Sequence, residues 1–263
     1  MTQHTKAEVI LQVTNVQLTY DRPILRDINF CIKNITRPGV LQGQVVTLIG
    51  RSGIGKTQLF KILSGLQQPT AGQVTIHNNK PVKAGDMGVI FQNYYLFEWR
   101  SVYQSLLLAA KKNKALFGIE KQTIDQYAEQ FQLTGHLHLY PQQLSGGQRQ
   151  RVSIMQQLLK GSDFILLDEP FSGLDVCMLD KAVDLLLQVS LSDELKTLII
   201  VSHDIETSVA ISDTVFILGN EPGKEGATIK KEIDLVERDL AWQKHIKKER
   251  RFLETLEEIK GCL

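Results

Sequence analysis

Two kinds of hydrophobic pattern alternate along the chain. Residues 9–20 alternate apolar and polar positions in the manner of a strand, and 26–33 read as its neighbour. Residues 45–49 (VVTLI), 87–91, 163–167 and 197–202 are instead continuous apolar runs, each flanked by turn or polar residues. Runs of that kind suit strands covered on both faces, as in a parallel sheet. Helical patterns fall between them at 56–65, 178–190 and 204–211. The alternation predicts an α/β fold with a mixed sheet, its core largely parallel and its early β-rich segment forming an antiparallel part. Between 92 and 160 the apolar residues recur at helical spacing, in 101–110, 121–133 and 147–159, with no convincing strand. That stretch predicts an α-helical subdomain inserted into the core. From about 235 the chain is charged and helical, and its basic run (Lys247, Lys248, Arg250, Arg251) reads as the solvated face of a helix.

Composition narrows the function rather than the fold. Thirty basic residues against twenty-nine acidic ones leave a net charge of +1, which argues against a strongly electrostatic nucleic-acid binder. Cys31, Cys177 and Cys262 are odd in number and lack metal-ligand spacing, so they read as ordinary thiols of a cytosolic protein. The first residues lack the apolar run of a signal peptide, and no stretch approaches the about 18 apolar residues that span a bilayer. If the protein works at a membrane, another chain must supply the membrane part.

The chemistry begins at Gly50-Arg51-Ser52-Gly53-Ile54-Gly55-Lys56-Thr57, which fits the phosphate-loop pattern G-x-x-x-x-G-K-[ST]. It follows an apolar strand and opens a helix, the context the motif needs. Glycines let successive N–H groups curl around an anion, and the helix N-terminus adds partial positive charge. Lys56 reaches the β- and γ-phosphates, and Thr57 offers a hydroxyl to Mg²⁺. A second signal is Phe164-Ile165-Leu166-Leu167-Asp168-Glu169, an apolar strand ending in two carboxylates. Asp168 is placed to hold Mg²⁺, and Glu169, which strand alternation points elsewhere, to act as general base towards water.

Leu144-Ser145-Gly146-Gly147-Gln148-Arg149-Gln150-Arg151 resembles the signature of ATP-binding cassette (ABC) ATPases. The remaining motifs follow in the family's order. Tyr20 resembles the aromatic that stacks on adenine, and Gln92 the glutamine of the Q-loop. Ser172-Gly173-Leu174-Asp175 resembles the D-loop, and His203 the switch histidine. The resemblance implies a P-loop cassette that binds ATP and Mg²⁺ and works as a head-to-tail pair. Each ATP would lie between one phosphate loop (Gly50 to Thr57, with Gln58 and Tyr20) and the partner's Ser145, Gly146, Gly147, Gln148 and Asp175. Thr57, Gln92 and Asp168 would serve the metal, and Lys56, Glu169 and His203 would carry the catalysis. It further implies a domain over 1–225, with a RecA-like core at 1–91 and 161–225 and a helical signature subdomain at 92–160. A closing strand and C-terminal helix would follow over 226–263.

Within the family, the segment 92–102 and the Glu221-Pro222-Gly223-Lys224 turn are similar to the nitrate/sulfonate/taurine importer group, whose C-terminal helix has a counterpart in 236–261. Glu98 stands for that group's Pro and Ser101 for its Thr. Three further departures are a lengthened turn at 36–42, Gln58 in place of a Ser or Thr, and Met155-Gln156-Gln157 where a small residue, Arg and Ala are usual. The resemblance implies a soluble subunit at the inner face of the cell membrane, partnered by a second cassette, permease subunits and a solute-binding protein, with no nucleic acid. A non-transport or lipid-export cassette ATPase is the alternative. A degenerate, non-hydrolysing scaffold is disfavoured because Lys56, Asp168, Glu169 and His203 are all present.

Overall fold

The computed structural model describes residues 5–36, 42–172, 179, 183–184, 186, 196–241 and 246–263. Most of the expected 178–190 helix, Asp175 of the D-loop motif and residues 37–41 of the lengthened turn lie outside them. Among the described residues, ten strands form one sheet in the order β5-β4-β1-β2-β10-β9-β3-β8-β7-β6. The expected antiparallel part is β1 (Thr5–Thr19) between β2 (Pro23–Thr36) and β4 (Ala71–Ile76), with β5 (Lys80–Pro81) outermost. The expected parallel part is β3 (Gln44–Ile49), β6 (Gly88–Ile90), β7 (Phe164–Asp168) and β8 (Thr197–Ser202). Every residue of β3, β7 and β8 is buried, which is what their continuous apolar sequences require.

Two strands join these halves. β9 (Thr214–Asn220) runs parallel to β3, and β10 (Ala227–Asp234) returns antiparallel to β9 and touches β2 at Ala227 and Leu25. β10 matches the expected closing strand. β4, β5 and β9 were not anticipated. TVFIL in β9 has the same buried character as the other core strands, while the first half of β4 is exposed and polar.

The helices are α1 (Lys56–Leu63), α2 (Val102–Ala110), α3 (Glu120–Gln130), α4 (Gly146–Lys160), α5 (Ile205–Ile211) and α6 (Arg250–Cys262). Ser101, the apparent replacement for a threonine, is the N-cap of α2 and forms a capping box with Gln104. α2, α3 and α4 pack over β6 and β7 around Leu106, Ile124, Phe131, Val152 and Leu159. Met155, one of the departures, is fully buried in that cluster, where its flexible side chain fills the space beneath the signature helix.

The C-terminal helix is shorter than the expected 236–261. Leu235 and Leu240 are both buried, five residues apart, and Asp239 between them adopts a left-handed φ of 54°. That turn brings Leu240 N–H to Leu235 O at 2.8 Å and ends any helical continuation. The regular helix begins only at Arg250, and its buried stripe of Phe252, Leu256 and Ile259 covers β9 and α5. The basic run lies on its solvated side, with Lys247 paired to Glu206, Arg250 to Glu254 and Arg251 to Asp239.

Candidate functional site

β3 delivers the chain to a loop at 50–55 that turns directly into α1. Gly55 holds a φ of 109°, and a side chain there would press on Leu25 and Ile24 at 3.1–3.2 Å, so glycine alone fits. Gly53 is also left-handed, at 77°. Ile54 is half-buried and packs on the core beneath, so it anchors the loop, while Arg51, Ser52, Gly53 and Thr57 face outward. Lys56 is only 7% exposed. Its ammonium donates to the carbonyls of Gly50 at 2.8 Å and Arg51 at 3.2 Å, and lies 3.6 Å from Glu169 Oε1. A buried cation held by two carbonyls at the mouth of a helix is a natural site for phosphate.

Asp168 closes β7, and the separation of the two carboxylates arises differently from simple strand alternation. Glu169 leaves the strand with a φ of 50°, a strained conformation for a non-glycine residue, and its N–H still bonds Val201 O at 2.8 Å. The break swings its carboxylate towards β8. There Oε2 takes a hydrogen bond from His203 Nδ1 at 2.7 Å and a longer one from the His203 backbone N–H at 3.3 Å. Lys56, Glu169 and His203 are thus brought together as expected, with the carboxylate between the other two.

Asp168 is nine-tenths buried, and its Oδ1 has no hydrogen-bond partner among the described residues. Burial first, and then the adjacent Glu169 charge, push its carboxyl above the ordinary aspartate range, against a downward pull from Lys56 and Lys61. An orphaned carboxylate oxygen with the Thr57 hydroxyl at the head of α1 is the hard-oxygen donor chemistry that suits Mg²⁺. Gln92 points elsewhere in this conformation and donates to Ser172 Oγ at 3.2 Å.

An open cavity of about 380 Å³ is lined by Tyr20, Ile24, Ser52, Gly53, Lys56, Gln58 and Glu169, among others. Tyr20 is 56% exposed on its rim. Its hydroxyl donates to Gln58 Oε1 at 3.2 Å and accepts from Gln67 Nε2 at 2.7 Å. Gln58, unusual at its position, therefore helps hold the aromatic ring; Gln67 was not singled out from the sequence, because only the fold brings it to Tyr20.

The signature lies away from this cavity. Ser145 is the N-cap of α4, and Ser145, Gly146 and Gly147 present the start of that helix at the surface. The Gln148 side chain is committed to the cap: its Oε1 accepts the Ser145 N–H at 2.8 Å. The expected phosphate loop and signature therefore occupy separate places on one chain. The nearby aromatics divide. Tyr94 is half-buried, and burial pushes its phenol up to about 12. Tyr95, Phe97 and Trp99 are exposed, with Phe97 and Trp99 rings 5.4 Å apart.

Residues 34–172 match the ABC transporter family model. The aliphatic sulfonates import ATP-binding protein of Bacillus subtilis is 38% identical over 199 residues, covering 74% of this chain and 75% of that protein. The taurine import ATP-binding protein of Pelagibacter ubique is 30% identical over 242 residues, covering 89% and 85%. Among solved structures, cbiO1 of Clostridium perfringens, part of an ABC transporter complex, superposes with a TM-score of 0.72 at 26% identity over 89% of this chain and 91% of that one. A dimeric ATP-binding cassette bound to ADP and phosphate after hydrolysis gives 0.68 at 25% identity, over 86% and 99%. No helix among the described residues is long and apolar enough to cross a membrane. The matched family model, the relatives and the phosphate loop set against Glu169 lead to one conclusion: the chain belongs to the ATP-binding ATPase subunits of ABC transporters.

Proposed function

We propose that this chain powers the import of a small solute as one of two ATP-hydrolysing cassettes seated beneath a separate membrane permease. The observation that carries the reading is the Glu169 carboxylate held between Lys56 and His203. Lys56 now shares its charge between two carbonyls and Glu169. Phosphate oxygens offer it stronger acceptors. Once Lys56 turns to them, Glu169 keeps His203 and a longer hydrogen bond from the Ser202 hydroxyl at 3.5 Å, and these orient the carboxylate to take a proton from the attacking water. The glycine-rich backbone and the α1 N-terminus receive the phosphate charge without reorganisation. Tyr20, braced by Gln58 and Gln67, stacks on the base.

Thr57, Asp168 and Gln92 would hold Mg²⁺, which when bound neutralises phosphate charge. Gln92 must leave Ser172 to do so, which ties metal binding to the segment that follows it. Because the signature is displaced from the cavity, the second half of each site comes from a partner cassette through Ser145, Gly146 and Gly147. Gln148 contributes as the cap rather than as a direct contact. The exposed Tyr95, Phe97 and Trp99 supply anchors for the permease. Import rather than export is supported by the names of the sulfonate and taurine relatives. A solute-binding protein outside the membrane and a peripheral place on its inner face complete the proposal. The test is reconstitution in vesicles with a permease that the chain binds: solute uptake should require ATP and this chain together. Efflux, or uptake that persists without this chain, would overturn the proposal.

A further inference from the structure

One half-buried histidine outside every recognised motif touches the signature. His136 lies in the short 3₁₀ turn Thr134–His136, between α3 and α4, and its Nε2 is 2.8 Å from Gln148 Nε2. The Ser145 backbone N–H, 2.8 Å from the Gln148 side chain, requires an acceptor, which fixes that end of the amide as the oxygen. The amide NH₂ then faces His136, and an NH₂ only donates. His136 Nε2 must be bare, with the ring proton on Nδ1. Nδ1 is buried and without a hydrogen-bond partner among the described residues, so no neighbour there selects the opposite tautomer.

We propose that His136 is a positioning residue for the signature serine, acting through Gln148. The proposal rests on the reading of Ser145 as the contact to ATP across the cassette pair. With its amide gripped at both ends, Gln148 cannot rotate. Its backbone N–H occupies a Ser145 Oγ lone pair at 3.3 Å, which leaves the hydroxyl proton directed away from the helix. The histidine is itself fixed: its N–H bonds Leu133 O at 2.8 Å and its carbonyl accepts Leu139 N–H at 3.1 Å. Leu139 O in turn accepts Val102 N–H at 2.9 Å. The serine's orientation is thereby referenced to the frame of the helical subdomain, well outside its own loop.

The test uses the full chain. His136→Leu removes the acceptor at similar bulk, and His136→Gln restores an acceptor where Nε2 stands. The Leu variant should lower kcat about tenfold, the worth of one hydrogen bond, while the KM for ATP stays within about twofold. The Gln variant should recover to within about threefold of wild type. Equal impairment of both variants, or a Leu variant that matches wild type, would overturn the proposal. A measurement on the wild-type chain covers failure to fold: ¹⁵N spectra of labelled histidine should give His136 as the Nδ1–H tautomer, and an Nε2–H tautomer refutes it outright. Ser145→Arg separates the two readings. If that variant hydrolyses ATP at the wild-type rate while His136 keeps the Nδ1–H form, the cap stands, but the signature reading falls and the positioning role with it.

Discussion

Exchange of Glu169 for Gln keeps the shape of the side chain and removes its charge. The cost to the folded state follows from the contacts. Oε1 lies 3.6 Å from Lys56 Nζ, which at an effective dielectric of about 20 is worth roughly 4–5 kcal/mol of Coulomb energy. Desolvation of the two buried groups offsets most of this, and Lys56 keeps the Gly50 and Arg51 carbonyls. The net stability cost therefore stays below the about 3–5 kcal/mol of an unpaired buried charge, because the two carbonyls remain on Lys56. The amide oxygen can still accept from His203, so the local geometry survives. The chemical cost is larger: a positioned general base contributes about 10²–10⁴ in rate, or roughly 3–5 kcal/mol of barrier. Phosphate release at saturating Mg-ATP should fall at least about a hundredfold while ATP affinity is kept. A rate within about threefold of wild type would refute the general-base assignment, and loss of ATP binding would refute the argument that the fold tolerates the exchange.

Asp168→Asn should stabilise the metal-free protein by about 1 kcal/mol at pH 7, read by urea unfolding, while abolishing Mg²⁺-dependent hydrolysis. The sign follows from an acid whose folded pKa lies above its unfolded value: ionisation is a cost that grows as pH rises between the two, and a less stable Asn variant would contradict it. Glu258 is the opposite case. Arg238 and then Lys231 hold its carboxyl down at about 2, so its contribution is complete above the unfolded value of 4.5 and is lost as pH falls towards 2. The full shift corresponds to about 3 kcal/mol, which partial exposure reduces to about 1–2. Glu258→Gln should lose that much at pH 7 and nothing near pH 2; an equal loss at both pH values would point to packing instead. Trp99 is 74% exposed, so Trp99→Ala should fold normally and hydrolyse ATP within about twofold of wild type, yet fail to drive uptake through the permease. Loss of soluble protein would show the ring to be a core element instead.

The parts of the site that were legible in the sequence are those that local geometry makes. A strand, a glycine loop and a helix follow one another within a few residues, so the phosphate loop could be read in full. Asp168 was legible as the polar end of a buried strand. Glu169 was legible in identity but not in conformation, because its left-handed break depends on Val201 in the neighbouring strand and on His203 just beyond that strand's end. Gln67 bracing Tyr20, and His136 bracing Gln148, join residues that no spacing rule connects. In the fold, the antiparallel and parallel parts were legible from their two hydrophobic patterns. β4 was not, since only half of it is buried, and the C-terminal helix was drawn too long because helical composition continues through the Leu235–Leu240 turn.

The central claim is that each ATP lies between the phosphate loop of one cassette and the signature of another. It is tested most directly by mixing two chains, one with Ser52→Cys and one with Ser145→Cys. Both chains carry Glu169→Gln and have Cys31, Cys177 and Cys262 replaced by Ser. Disulfide cross-linking under mild oxidant, followed on non-reducing gels, should yield a mixed dimer that forms with Mg-ATP and not with ADP. A cross-link formed equally without nucleotide, or only monomers in Mg-ATP, would contradict the account.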